Sequence, residues 1–156
     1  MHRREKPTSA RAGIRGERLR FGVAISEYNG DITEKLLAGA QKELLRAGVL
    51  RKNIAVLRVP GSFELPLACE RLAESGRYDA LLALGCVIKG ETDHYYFIAG
   101  ETARGIMEVM LKRDIPIGFG VLTVDTLAQA QARSSGGNNK GAEAARAALQ
   151  MIELLS

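Results

Sequence analysis

Four short apolar runs recur along the chain, and each is followed by a segment whose apolar residues fall at helical spacing. The runs are "RFGVAIS" (residues 20–26), "NIAVLRVPG" (53–61), "YDALLALG" (78–85) and "IPIGFGVLTV" (115–124). Strands that lie parallel cannot be joined by a tight turn and need a long crossover, ordinarily a helix. Fourfold strand–helix alternation therefore predicts a parallel sheet covered by helices on both faces. The helical segments support this. In "ITEKLLAGAQKELLRAG" the apolar residues Ile32, Leu36, Leu37, Ala40, Leu44 and Leu45 share one face, and Gly48 is a natural stop. "ELPLACERLAESG" reads as a helix entered through Pro66 and closed by Gly76. "ETDHYYFIAGETARGIMEVMLKRD" reads as a long helix, "TLAQAQARSS" as a short one, and "KGAEAARAALQMIELLS" as an alanine-rich last one.

In open parallel sheets, ligands bind beyond the carboxyl ends of the strands. The segments at those ends are "EYNGD", "VPGSFE", "GCVIKGETDH" and "FGVLTVDT". All four carry glycine, polar groups or an aromatic ring. Aromatic residues make up only 5% of the chain, so Tyr28, Phe63 and Phe119, each in one of these segments, stand out.

The chain has 156 residues, enough for one domain with a proper core. Its formal charge of +4 is unevenly placed. Arg3, Arg4, Lys6, Arg11, Arg15, Arg18 and Arg20 crowd the start, and the remainder is close to neutral. The sequence thus predicts a basic, flexible arm over residues 1–18 and a single domain over 19–156. The basicity belongs to the arm and does not mark the fold as nucleic-acid binding. The arm lacks the apolar stretch of a secretory signal. No window approaches the ~18 continuous apolar residues of a membrane span. Cys69 and Cys86 lack metal-ligand spacing and read as reduced thiols of a cytoplasmic protein.

The segment from Gly85 to His94 carries the most chemistry. Gly85 and Gly90 approach the spacing of a phosphate-binding loop, but Glu91 stands where that loop needs lysine. Nucleotide hydrolysis is excluded on that residue. What remains is a glycine turn into a helix N-terminus, where backbone N–H groups and the Thr92 hydroxyl can hold a small phosphate; a plain helix cap is the alternative. His94 lies in the first turn of that helix, with an imidazole able to exchange a proton near neutral pH. A Cys86–His94 dyad is the less favoured arrangement, since a cysteine in such a run packs. In "VPGSFE", Ser62, Phe63 and Glu64 offer a hydroxyl, a ring face and a carboxylate, a set suited to a flat polar heterocycle. Taken alone it also reads as a turn, an anchor and a cap. Arg133 and Lys140 flank the glycine loop "SSGGNN" and are candidates for a phosphate clamp.

Together, "VPGSFELP", "GCVIKGETDHYYFI" and the "FGVLTVDT" segment with the downstream Arg133 and "NKG" resemble the 6,7-dimethyl-8-ribityllumazine synthase family, from about Leu19 to the C-terminus. The resemblance implies a flavodoxin-like three-layer αβα sandwich with a central four-stranded parallel sheet. It implies the condensation of 5-amino-6-(D-ribitylamino)uracil with 3,4-dihydroxy-2-butanone 4-phosphate, without a cofactor or metal. By the same resemblance, Tyr28 stacks on the pyrimidine. Ser62, Phe63, Glu64, Cys86, Val87 and Ile88 bind the ring and its ribityl chain, and Phe119 joins them from a neighbouring subunit. Glu91, Thr92, Arg133 and Lys140 meet the phosphate, and His94 transfers protons. Tyr28 departs from the usual Phe or Trp, and Ala132 stands where many relatives carry an acid. The partners implied are small-molecule substrates and further copies of the chain in a homopentamer. Some members assemble twelve pentamers into an icosahedral shell, and the short loop at "SSGGNNKG" is compatible with that shell. Riboflavin synthase is a further partner that the resemblance admits; a membrane or nucleic acid is not implied. Two readings of other classes stay open on sequence: a flavin or lumazine carrier, and a scaffold.

Overall fold

The computed structural model describes residues 16–156. Most of the expected basic arm therefore lies outside the described residues. The first described ones already rest on the body, with the Asn53 side-chain amide donating to the Glu17 carbonyl (3.3 Å).

Four strands form one parallel sheet: β1 (Phe21–Ser26), β2 (Ile54–Val59), β3 (Ala80–Ile88) and β4 (Ile117–Val124). Their spatial order is β2-β1-β3-β4. The helices are α1 (Gly30–Arg46), α2 (Leu65–Glu74), α3 (His94–Arg113), α4 (Leu127–Ala132) and α5 (Lys140–Leu155). Short 3-10 turns occupy Arg51–Asn53, Ser62–Glu64 and Gly136–Asn138.

Two cores lie on opposite faces of the sheet. Phe21, Val23 and Ile25 of β1 and Leu82 and Leu84 of β3 pack under α1 and α5, against Leu36, Leu44 and Ala145. Ala24, Leu81 and Ala83 turn the other way, toward Leu65 and Cys69 of α2 and Ile106 and Val109 of α3. This alternation is the period-2 geometry of a strand buried on both faces. The chain is an α/β three-layer sandwich.

Small residues set the spacing of the first layer. A methyl on Gly141 of α5 would strike the Leu36 carbonyl of α1, and one on Gly118 of β4 would strike the Ala144 carbonyl. Backbones approach here more closely than side chains permit, which explains why α5 buries Gly141, Ala144, Ala145 and Ala148. On the other face α2 and α3 are tied by Glu70, which accepts from the Arg113 guanidinium.

Two boundaries differ from the sequence expectation. β3 runs on through Cys86, Val87 and Ile88, paired with Leu122, Thr123 and Val124. Gly85 thus sits within a strand and not in the turn expected there. It is a glycine because a side chain would meet Ser62 Oγ at 2.7 Å. The long helix begins at His94 and not at Glu91, so residues 91–93 belong to the loop.

Gly141→Ala is expected to cost roughly 1–3 kcal/mol of stability, as overpacking does. Urea denaturation monitored by circular dichroism measures it, against Gly90→Ala, where a methyl would meet open space.

Candidate active site

The strand order reverses between β1 and β3. From β1 the chain crosses to β2 on one side, and from β3 to β4 on the other. Such a switch point leaves a crevice outside the carboxyl ends of the two strands. A cleft of about 570 Å³ opens there.

Each wall follows from local structure. β1 ends at Ser26, and the next residues are held to the end of β2. The Glu27 N–H donates to the Val59 carbonyl (2.7 Å) and the Tyr28 N–H to the Pro60 carbonyl (3.0 Å). This turn presents the Tyr28 ring to the cleft, 73% exposed. Pro60 and Gly61 then redirect the chain into the 3-10 turn, which adds Ser62, Phe63 and Glu64. Phe63 is 59% exposed. Large aromatics are ordinarily buried, so two rings left open at one cleft mark a binding surface.

The floor is the overhanging end of β3. Its pairing with β1 stops at Leu84, whereas its pairing with β4 continues to Ile88. Cys86, Val87 and Ile88 therefore line the cleft with a strand edge that β1 does not cover. The Cys86 carbonyl on that edge accepts from the Asn29 side-chain amide (2.9 Å). Burial pushes the Cys86 thiol up to about 11, so it is protonated at neutral pH and no thiolate is available for a Cys86–His94 dyad. Ser62 is buried, its carbonyl accepts from Thr102 Oγ1 of α3 (3.1 Å), and its own hydroxyl has no partner. An orphan hydroxyl bordering a cleft is a group whose bond a ligand can supply.

The last wall is the loop into α3. Gly90, Thr92 and His94 line it. Thr92 Oγ1 accepts from the His94 N–H (3.4 Å), which holds the first residue of the helix. The N-terminus of a 20-residue helix thus opens on the cleft, and the positive end of its dipole favours an anion.

Sequence reasoning thus brought Tyr28, Ser62, Phe63, Glu64, Cys86, Val87, Ile88, Thr92 and His94 to one place. Four candidates stand elsewhere within the single chain. Glu91 is exposed between two lining residues. Phe119 sits midway along β4, paired with Ala83 and 47% exposed. Arg133 closes α4, its guanidinium donating to the Gln129 carbonyl (3.1 Å). Lys140 opens α5 and pairs with Glu143 (2.8 Å). The cleft lining contains no lysine or arginine among the described residues. Among the described residues no group of three acidic, histidine or cysteine side chains is placed to hold a metal, and no helix is long and apolar enough to cross a membrane.

Sequence reasoning missed Tyr95 and Ile98, which also line the cleft. The signal for Ile98 was available, because it lies four residues after His94 on one helix face, and Tyr95 lies three residues before Ile98. It also missed Asn29. Asparagine before a helix ordinarily caps it, but this one makes no cap bond and adopts a left-handed conformation (φ 58°, ψ 44°). Its amide crosses to β3 instead.

The family model for 6,7-dimethyl-8-ribityllumazine synthase matches residues 18–156, a span that contains every residue of the cleft.

Asn29 fixes the distance between the Tyr28 wall and the β3 floor. Asn29→Ala is expected to destabilise the fold by about 1–3 kcal/mol, from the lost bond and the left-handed backbone together. Asn29→Gly, which adopts that backbone freely, is expected to lose less. Chemical denaturation of the two variants reads the difference.

Proposed function

The chain belongs to the 6,7-dimethyl-8-ribityllumazine synthase family, whose activity is a transferase step of riboflavin biosynthesis, and from that premise we propose its substrates and the roles of its residues. The reaction is the condensation of 5-amino-6-(D-ribitylamino)uracil with 3,4-dihydroxy-2-butanone 4-phosphate to 6,7-dimethyl-8-ribityllumazine, with release of phosphate and water. The observation that carries the proposal is the convergence of two open rings, an uncovered strand edge and His94 on one cleft.

The pyrimidine stacks against Tyr28, with Phe63 beside it. The open edge offers backbone N–H and C=O groups of Cys86 and Ile88, with Val87 between them, which complement the amide edge of a uracil. Ser62 and Glu64 take hydroxyls of the ribityl chain. The ring amine attacks the ketone to give an imine, phosphate leaves, and the ring closes with loss of water. These steps move protons and release an anion, so they need no redox or carrier cofactor. His94 passes the protons, an effect typically worth about 10²–10⁴-fold. Holding two substrates in register contributes the larger share.

Thr92, the backbone N–H of Glu91 and the N-terminus of α3 receive the phosphate, and Arg133 and Lys140 of an adjoining copy supply its cations. Phe119 of that copy closes the aromatic wall. Phe119, half exposed on edge strand β4, supports such a contact. A closed ring of five copies fits one shared site per chain. Twelve such rings form the larger shell, and riboflavin synthase, which consumes the product, is the natural companion. The cytoplasm is the proposed location.

Mixing the two substrates with the protein is expected to generate the lumazine chromophore. His94→Ala is expected to lower kcat by roughly 10²-fold or more without abolishing it; full activity in that variant overturns the role of His94. Arg133→Ala is expected to raise the KM for the butanone phosphate and leave that for the uracil nearly unchanged. Light scattering on the wild type reads the assembly, and a fully active monomer would sink the shared site.

A further inference from the structure

Residues 89–93 link β3 to α3, and the placement of Gly90, Thr92 and His94 at the cleft depends on how that loop is held. Its first residue is clipped to the sheet, with the Lys89 N–H donating to the Val124 carbonyl (2.8 Å). Its far end is clipped to the helix, with the Tyr96 N–H donating to the Asp93 carbonyl (3.0 Å). One side chain spans the two ends. The Lys89 ammonium stands 5.4 Å from the centroid of the Tyr96 ring, within cation–π range. Tyr96 in turn meets Tyr95 edge-on, with centroids 5.1 Å apart and planes at 84°, a favoured aromatic geometry. Tyr95 lines the cleft beside His94.

A chain of contacts therefore runs from the start of the loop, across its opening, to the residue next to the candidate proton shuttle. The Tyr96 hydroxyl is the main reason the Lys89 ammonium sits above its ordinary pKa, and Asp125 and Tyr95 add to this. The cation is thus fully charged throughout the neutral range. The loop itself carries two acids, Glu91 and Asp93, beside the place where a phosphate is expected. Its conformation decides whether they face that phosphate or solvent.

We infer that Lys89, acting through Tyr96, is a positioning residue for the phosphate-bearing substrate: it clasps the 89–93 loop so that Thr92 and the first turn of α3 face the cleft. This inference rests on the reaction proposed above. It assigns Lys89 no contact with either substrate.

Steady-state kinetics on the assembled wild-type protein and its variants, varying each substrate in turn, tests it. Lys89→Met is expected to raise the KM for the butanone phosphate roughly two- to fivefold, the range that an exposed cation–π pair corresponds to. The KM for the ribitylaminouracil is expected to stay near that of the wild type. Lys89→Arg, which keeps the cation over the ring, is expected to restore wild-type behaviour. Tyr96→Leu is expected to match Lys89→Met, and the double variant to be no worse than either single one. Additive losses would mean that Lys89 acts without Tyr96 and would overturn the clasp. So would an equal rise in both KM values, or an unaltered Lys89→Met enzyme. If Tyr96→Leu fails to fold by circular dichroism, the contrast between Lys89→Met and Lys89→Arg decides alone. A wild type that forms no lumazine refutes the proposed reaction and takes this inference with it. An active wild type with an unaffected Lys89→Met variant refutes only the inference.

Discussion

The unequal reach of β3 toward its two neighbours is the constraint on which the cleft depends. β3 pairs with β1 only as far as Leu84, yet with β4 as far as Ile88. The overhang is stable because β4 satisfies one edge, and because Cys86, Leu122 and Val124 bury their side chains in the core under α1 and α5. The other edge is left to the Asn29 amide and to whatever enters the cleft. Had β1 continued two residues further, its backbone would have filled the place where a heterocycle can dock. The turn at residues 27–29, tied to the end of β2 by two backbone hydrogen bonds, stops it from doing so. Catalytic geometry here begins as a question of where a strand ends.

Gly85 completes that constraint. It lies where the uncovered part of β3 begins, with Ser62 Oγ and Ser26 Oγ at 2.7 and 3.2 Å from the position a Cβ would take. Both hydroxyls are buried and have no partner. Their carbonyls are satisfied, that of Ser62 by Thr102 and that of Ser26 by Thr33, so the main chain of each serine is fixed and only its side chain is free to respond. An unmade hydrogen bond of this kind costs about 1–3 kcal/mol. Polar groups kept unsatisfied at the base of a cleft are typical of a surface shaped for a ligand rather than for stability.

Most of the fold was legible because apolar patterning is a local signal. The buried runs in β1 and β3 and the stripes of α1 and α2 announce themselves within ten or so residues. The parts of the cleft carried by one short segment, such as Ser62 with Phe63 or Thr92 with His94, were legible for the same reason. What was not legible depends on partners distant in sequence. Gly85 reads as a turn glycine until Ser62 is known to press on it. Asn29 reads as a helix cap until Cys86, 57 residues later, is found to take its amide. The start of α3 was placed three residues early because Glu91 and Asp93 suit a first helical turn, whereas the chain uses that acidic stretch as the loop that carries Thr92.

The cations follow from the same layering. The cleft is walled by Tyr28, by the 3-10 turn at Ser62–Glu64, by the end of β3 and by the start of α3. Arg133 and Lys140 belong to the layer of α4 and α5. Ala130 of α4 packs in the core under α1 and α5, and Asn139 seats the intervening loop against α1 by donating to the Lys35 carbonyl (2.9 Å). Within one chain neither cation lines the cleft: the Arg133 guanidinium donates to the Gln129 carbonyl, and Lys140 pairs with Glu143. A phosphate bound at the N-terminus of α3 would meet helix dipole, hydroxyl and imidazole, but no guanidinium among the described residues of the same chain. Helix termini contribute only about 0.3–1 kcal/mol to an exposed charge, which is little for a dianion. Edge strand β4, with Phe119 open on one face and the α4–α5 loop beyond its end, is the part of the molecule able to bring both a ring and a cation to another copy's cleft. The proposed shared site answers that shortfall, since a second copy can bring across the β4 edge what the described residues of one chain do not bring to their own cleft.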